Sequence, residues 1–262
     1  MAAATSSAAM PSTAMPSGVM PPISMPSTAM LSVSGLHACY GQAHILADVS
    51  LDVRAGEVVV LLGRNGAGKS TTLKSIIGLV RPKSGTVRFG EVQIEKLEPY
   101  KIVRMGLGYV PEDRRIFTDL TVRENLEVGR QPARAGVPVW DWDKLGALFP
   151  NLKEMPDRKG GHMSGGEQQM LTIARTLMGN PACILLDEPS EGVAPVIVDQ
   201  MAEAIGELKK AGVAILLSEQ NLHFAMEVAD RAYIIEKGRI RFAGTMAELS
   251  ANEDVRAQYL AV

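Results

Sequence analysis

The run Gly63-Arg64-Asn65-Gly66-Ala67-Gly68-Lys69-Ser70 has the spacing G-x-x-x-x-G-K-[ST] of a phosphate cradle. Its glycines let the backbone curl until amide N–H groups converge on phosphate oxygens. Lys69 can reach β- and γ-phosphates, the Ser70 hydroxyl can ligate Mg²⁺, and Thr71 continues the turn. Far downstream, Ile184-Leu185-Leu186-Asp187-Glu188-Pro189 sets two carboxylates after an apolar run. Asp187 can hold Mg²⁺, directly or through water. Glu188 can polarise a water toward a γ-phosphate as a general base. Alone, the first segment could be a Gly-rich turn and the second a solvated strand end. Together they describe chemistry on a nucleoside triphosphate.

Such groups work only if the chain brings them to one edge of a sheet. Val58–Leu62 is a continuous β-branched and leucine run, as expected of a strand buried on both faces. The glycine-rich turn follows it, and then a helical pattern through Thr71, Leu73, Ile76 and Ile77 that ends near Gly78. Further strands are expected at 31–40, 86–89, 107–110, 182–187, 213–218, 232–235 and 240–243. Helices are expected at 100–105, 166–178, 196–210 and 222–228, with two short ones closing the chain. This alternation predicts an α/β fold with a mostly parallel sheet and helices on both faces. In such sheets ligands sit at the carboxyl ends of the strands, where both motifs fall. Residues from about 115 to 165 break the alternation and read as an inserted helical lobe.

Residues 1–30 differ in kind. They carry no charged side chain, and Met recurs at 10, 15, 20, 25 and 30, mostly followed by proline. Such proline density blocks helix and ladder alike. The stretch reads as a disordered low-complexity tail, with neither the basic region nor the apolar run of a secretory signal. The folded domain is expected over 31–262.

Composition narrows the function. The chain has 262 residues, 46% hydrophobic and 21% charged, with 27 basic and 29 acidic side chains and a formal charge of −2. No global basic field exists to grip nucleic acid. Two cysteines, Cys39 and Cys183, cannot frame a disulfide scaffold. No apolar run approaches the ~18 residues of a spanning helix.

A third motif, Met163-Ser164-Gly165-Gly166-Glu167-Gln168-Gln169, stands between the phosphate loop and the acidic strand. In that order the three motifs resemble those of ABC-transporter ATPases, whose signature is usually written LSGGQ. Met163 stands for Leu and Glu167 for Gln. The resemblance covers about residues 31–262. It implies a P-loop NTPase (RecA-like) core with an antiparallel β portion and the helical lobe, and ATP with Mg²⁺ at its site. It implies that two such domains pair head to tail, so that Ser164, Gly165 and Gly166 complete the partner's site. Tyr40 matches the position that stacks on adenine. Gly63, Arg64, Asn65, Gly66, Ala67, Gly68, Lys69, Ser70 and Thr71 match the loop around the phosphates, Asp187 the metal-holding carboxylate and Glu188 the base. The resemblance further implies two separate polytopic permeases, a second ATP-binding subunit and, indirectly, an extracytoplasmic solute-binding protein. A heterodimer is expected, with a homodimer as the alternative. The chain would sit peripherally on the cytoplasmic face of the inner membrane and bind no nucleic acid.

Three segments depart from the common pattern. Glu112 stands where most members have a Gln that senses Mg²⁺ and meets the membrane partner. Gln220 stands where most have a His in the switch segment, and it can still donate to a γ-phosphate. Ser190-Glu191-Gly192-Val193 replaces S-A-L-D. One reading is damage, since Glu repels a γ-phosphate and Gln does not titrate as His does. The other is a branch identity. Val110-Pro111-Glu112, the 187–195 segment and Glu219-Gln220-Asn221 together resemble ATP-binding subunits of importers for branched-chain and related hydrophobic amino acids. The second reading is preferred because the remaining apparatus is intact, and it makes Glu112 a candidate Mg²⁺ ligand. Urea, short amides and aromatic acids are alternative solutes. A non-transport ABC ATPase acting on ribosomes or DNA is the alternative class. A small-molecule kinase has no need of the third motif. Trp140 and Trp142 read first as packing residues and second as a docking surface, with Arg114 and Arg115 beside them.

Overall fold

The computed structural model describes residues 29–260. The tail reading therefore falls outside the described residues except at Ala29 and Met30, which already belong to the first strand. Strand β1 (Ala29–Tyr40) pairs antiparallel with β2 (Ala43–Arg54). Next come β3 (Val58–Leu62), helix α1 (Lys69–Ile76), β4 (Ser84–Phe89), β5 (Val92–Gln93), α2 (Pro99–Met105) and β6 (Leu107–Val110). The lobe holds α3 (Val122–Gly129), α4 (Trp142–Leu148) and α5 (Pro150–Glu154), and α6 (Gly165–Leu177) follows it. The chain then runs through β7 (Cys183–Asp187), α7 (Pro195–Lys210), β8 (Ala214–Glu219) and α8 (Leu222–Val228). It closes with β9 (Arg231–Glu236), β10 (Arg239–Thr245), α9 (Met246–Ala251) and α10 (Glu253–Tyr259).

Among the described residues the strands form two sheets, ordered β2-β1-β4-β5 and β10-β9-β3-β8-β7-β6. The first is antiparallel throughout. In the second, only the β9–β10 pair is antiparallel. The uninterrupted apolar run of β3 has a simple cause. Val58, Val60 and Leu62 enter one hydrophobic core, and Val59 and Leu61 enter the other. One core lies between the six-stranded sheet, the antiparallel sheet and α1. The other is roofed by the lobe and α6 to α8. Each leucine or valine so enclosed contributes about 1.5–3 kcal/mol.

β2 has no counterpart among the elements expected from sequence. Its apolar positions Leu46, Val49, Leu51 and Val53 all face the core, but Asp48 takes a left-handed φ of 65°. That residue inserts one extra step between Leu46 and Val49 and breaks period two. The lobe is helical as expected. Thr121 and Glu124 cap α3 reciprocally, the Glu124 carboxylate accepting from the Thr121 N–H at 2.8 Å. Trp140 is buried, and Arg123 lies 4.4 Å over the half-buried Trp142 ring. Trp140 therefore packs within the lobe, and Trp142 packs against it from the lobe's surface.

One polar cluster joins the two sheets. Arg231 on β9 donates to Asp52 Oδ2 of β2 at 2.9 Å and to Glu57 Oε1 at 2.6 Å. The Tyr233 hydroxyl donates to Asp52 Oδ1 at 2.8 Å, and Asp52 is 1% exposed. Removing the guanidinium leaves a buried carboxylate without its cation, a loss of about 3–5 kcal/mol. Arg231→Ala is expected to lower the melting temperature by roughly 6–20 °C at this chain length. A melting curve within a degree of the parent protein contradicts this.

Candidate active site

Four parallel strands, β6, β7, β8 and β3, end at the same edge of the six-stranded sheet. Their registers align Leu62 with Glu219, Asp187 with Ser218 and Val110 with Leu186. The phosphate loop, Glu112, the acidic pair and the switch segment each follow one of these ends, which is why residues far apart in sequence meet. The 163–169 segment instead opens α6, and Tyr40 ends β1.

Beyond β3 the chain curls through Gly66 (φ +77°) and Gly68 (φ +114°) into α1. These left-handed values suit glycine, and a Cβ on Gly68 would stand 2.8 Å from Leu46 Cδ2. The first main-chain bond of the helix runs from the Thr72 N–H to Gly68 O at 2.9 Å. Helix geometry thus leaves the Lys69, Ser70 and Thr71 amides without helical partners, at the positive end of the dipole. The Lys69 ammonium is 3% exposed. It donates to Gly63 O at 2.7 Å and Arg64 O at 3.2 Å, and pairs with Glu188 Oε1 at 3.0 Å. These oxygens mark where phosphate oxygens would take over.

Glu188 follows β7 in a left-handed conformation, φ 47°, which strains a non-glycine residue. Its N–H donates to Ser218 O at 3.0 Å and Ser218 Oγ at 3.2 Å, which holds the strained turn. Asp187 has no exposed surface. Ser218 Oγ donates to its Oδ1 at 2.7 Å, and the Tyr109 hydroxyl donates to its Oδ2 at 3.0 Å. Burial and the Asp187 carboxylate push the Tyr109 hydroxyl well above the usual tyrosine range, so it stays a donor.

A cleft of about 390 Å³ brings together Tyr40, Asn65, Gly66, Gly68, Lys69, Ser70 and Thr71 with Glu112 and Glu188. Tyr40 is half exposed on its wall. A neighbouring cleft of about 340 Å³ joins Gly63, Arg64 and Asn65 to Gln220. Ala67 lies beneath the loop, its carbonyl accepting from the Gly238 N–H at 2.8 Å. Ser164, Gly165 and Gly166 line neither cleft. Ser164 caps α6, its Oγ accepting from the Glu167 N–H at 3.3 Å while Glu167 accepts from the Ser164 N–H at 2.7 Å. A Cβ on Gly165 would stand 2.7 Å from Arg114 Nη1, and one on Gly166 2.8 Å from Ile197 Cγ1. The Arg114 guanidinium is the mobile end of a long side chain and can give way, so packing within the chain constrains Gly166 more than Gly165.

Among the described residues, no group of three or more His, Cys, Asp or Glu side chains is arranged to hold a metal by itself. The residues nonetheless suit Mg²⁺. It takes hard oxygen donors, keeps waters, and is held by one or two carboxylates plus substrate phosphates. Ser70 would supply a hydroxyl and Glu112 lines the same cleft; Asp187, the expected carboxylate ligand, is wholly buried behind it and lines neither cleft.

Two carboxylates here gain a chemical role only from the structure. Glu219 is 2% exposed and accepts from the Ser190, Gln220 and Asn221 N–H groups at 3.1, 3.1 and 3.2 Å. It ties the loop after β7 to the switch segment after β8, and burial raises its carboxyl above the usual range. Within the sequence it reads only as the first residue of that segment. Glu191 lines the main cleft. A hydrogen bond with Glu188, then partial burial and the Glu188 and Glu112 charges, push its carboxyl up to about 7 despite Lys69.

A carboxyl raised on folding contributes stability that is fully present below its unfolded value, near 4.5, and is lost as pH rises through 7. Denaturant midpoints measured from pH 4.5 to 7.5 are therefore expected to fall in the parent protein. The Glu191→Gln profile should be flatter over that window. Parallel profiles contradict the assignment.

The ABC transporter family model matches residues 46–191. The high-affinity branched-chain amino acid transport ATP-binding protein BraG of Pseudomonas aeruginosa is 45% identical over 230 residues, covering 88% of this chain and 99% of that one. The lipopolysaccharide export system ATP-binding protein LptB of Haemophilus influenzae is 36% identical over 232 residues, covering 88% and 96%. The crystal structure of a nucleotide-free ATP-binding cassette from an ABC transporter superimposes with a TM-score of 0.74. Its identity is 27%, over 87% of this chain and 97% of that one.

Proposed function

Because this chain belongs to the ABC transporter ATPase family, we propose that it is the ATP-hydrolysing subunit of an importer for branched-chain or other hydrophobic amino acids. The observation that carries the chemistry is the buried Lys69–Glu188 pair at the mouth of the phosphate loop. It sets a cation and a basic carboxylate on one small volume. The solute assignment is supported by the 45% identity with BraG and by the Glu112, Glu191 and Gln220 departures, which resemble that branch.

In this mechanism the first-turn amides of α1 and Lys69 hold the phosphate chain, and Tyr40 stacks on the base. Phosphate oxygens replace Glu188 as partners of Lys69. Glu188 then orients the attacking water and takes its proton. Gln220 donates to the γ-phosphate. Ser70 and Asp187, with Glu112 as a further candidate, would hold Mg²⁺, which when bound would supply charge neutralisation at the phosphates. Ser164, Gly165 and Gly166 would complete a second subunit's site in a head-to-tail dimer.

No helix among the described residues is long and apolar enough to cross a membrane. Transport thus calls for separate polytopic permeases, with this subunit peripheral on the cytoplasmic face. A groove of about 310 Å³ between core and lobe supplies a docking surface. Val103, Phe117 and Val128 expose 39%, 46% and 54% of their area around it, with Arg115 and Arg175 on its wall. Apolar ground with cations suits an amphipathic helix of a permease.

The deciding experiment is a mild-detergent pull-down of the tagged protein from its native membranes, followed by mass spectrometry. Two polytopic permeases with a second ATPase support the importer, and its associated binding protein can be screened for branched-chain amino acids, urea, short amides and aromatic acids. Lipopolysaccharide-export partners would move the assignment toward the LptB relatives. Ribosomal or DNA-associated partners without a permease would overturn the transport reading.

A further inference from the structure

We propose that Tyr109 is a positioning residue that couples the groove between core and lobe to the Asp187 carboxylate. The inference rests on reading the main cleft as the nucleotide site and the groove as the docking surface.

Tyr109 belongs to both places at once. It sits on β6, the edge strand of the six-stranded sheet, and lines the groove together with Gly108, Arg115 and Phe117. Register pairs Tyr109 with Leu185 of β7, so Asp187 is the diagonal neighbour on the same face. With parallel strands about 4.8 Å apart and a rise of about 3.3 Å per residue, such neighbours lie about 8 Å apart at Cα, within reach of a long aromatic side chain. The hydroxyl bridges that gap and donates to Asp187 Oδ2 at 3.0 Å. The other oxygen of Asp187 is held from β8 by Ser218. One anchor of the carboxylate is thus internal to the sheet, and the other stands on the groove wall.

This arrangement makes the hydroxyl a two-way link. A partner that presses into the groove displaces Tyr109 and alters one of the two bonds that aim Asp187. Any load placed on the Asp187 carboxylate when Mg²⁺ and nucleotide are bound would be felt at the same bond and so at the groove wall. Binding linkage requires the two effects to be reciprocal. Tyr109→Phe keeps the ring and deletes the link. Ser218→Ala deletes the other anchor and leaves the groove wall unchanged.

The test is hydrogen exchange by mass spectrometry on the full chain, saturated with a non-hydrolysable ATP analogue in EDTA or in Mg²⁺. In the parent protein, nucleotide is expected to protect peptides over 63–72. Mg²⁺ should then further change exchange over 107–117 and 125–131. In Tyr109→Phe the protection over 63–72 should persist, while the Mg²⁺-dependent change in the groove falls to less than about half. In Ser218→Ala the groove response should remain. With permeases bound, Tyr109→Phe should lower kcat stimulation at unchanged KM for ATP and unchanged complex yield. An equal groove response in Tyr109→Phe and parent overturns the proposal, as does an equal loss in Ser218→Ala. Absence of protection over 63–72 in the parent overturns the nucleotide-site reading itself. A melting temperature within about 2 °C of the parent shows that Tyr109→Phe is folded; a larger drop shifts the comparison to Tyr109→Met, which fills apolar space and offers no side-chain donor to Asp187.

Discussion

Lys69→Ala is expected to lower ATP turnover by ~10²-fold or more, the scale for losing an oriented charge aimed at a transition state. The same substitution should also lower stability, and the two effects have separate causes. The ammonium is almost fully enclosed and satisfied by Gly63 O, Arg64 O and Glu188. Its loss strands Glu188, only 7% exposed, as a buried carboxylate without a cation. Breaking a buried pair from one side costs about 3–5 kcal/mol. Adding Glu188→Gln to Lys69→Ala should therefore restore much of the melting temperature and none of the activity. A coupled ATPase assay and thermal melts on the two variants separate these effects. Turnover within about threefold of the parent in Lys69→Ala would remove Lys69 from the mechanism.

Glu188→Gln is the second large effect. Glutamine has nearly the same shape at the strained φ of 47°, and its carbonyl can still accept from Lys69. It cannot take a proton. Turnover should fall by ~10²–10⁴-fold, the range for removing a general base. Affinity for a fluorescent ATP analogue should change by no more than about threefold. Single-turnover kinetics with titrations of that analogue read the two quantities independently. If hydrolysis survives in Glu188→Gln, the base must be another carboxylate of the same cleft, and Glu191 and Glu112 are the two that line it.

Much of this site is legible without coordinates because its parts are local. A phosphate cradle is a backbone device, and Gly66 and Gly68 announce it by their lack of a Cβ. β3 and β7 announce themselves because strands buried on both faces need unbroken apolar runs. The antiparallel hairpin is half hidden, since the left-handed turn at Asp48 shifts the alternation within β2. The groove is hidden altogether. Val103, Phe117 and Val128 lie on three separate segments, and only the packing of the lobe on the core makes them neighbours.

The sequence by itself determined the nucleotide chemistry, the α/β alternation and the family resemblance. Each depends on residue type at short spacing, where chain connectivity enforces proximity. The tertiary structure decided which side chains share a hydrogen bond across the sheet. It paired Glu188 with Lys69, set Tyr109 and Ser218 on the two oxygens of Asp187, and used Glu219 to hold two loops together. Apart from the local bond between Glu219 and Asn221, those contacts join residues from about 30 to over 100 positions apart. They follow from strand order and register, which long-range packing selects and no local pattern encodes.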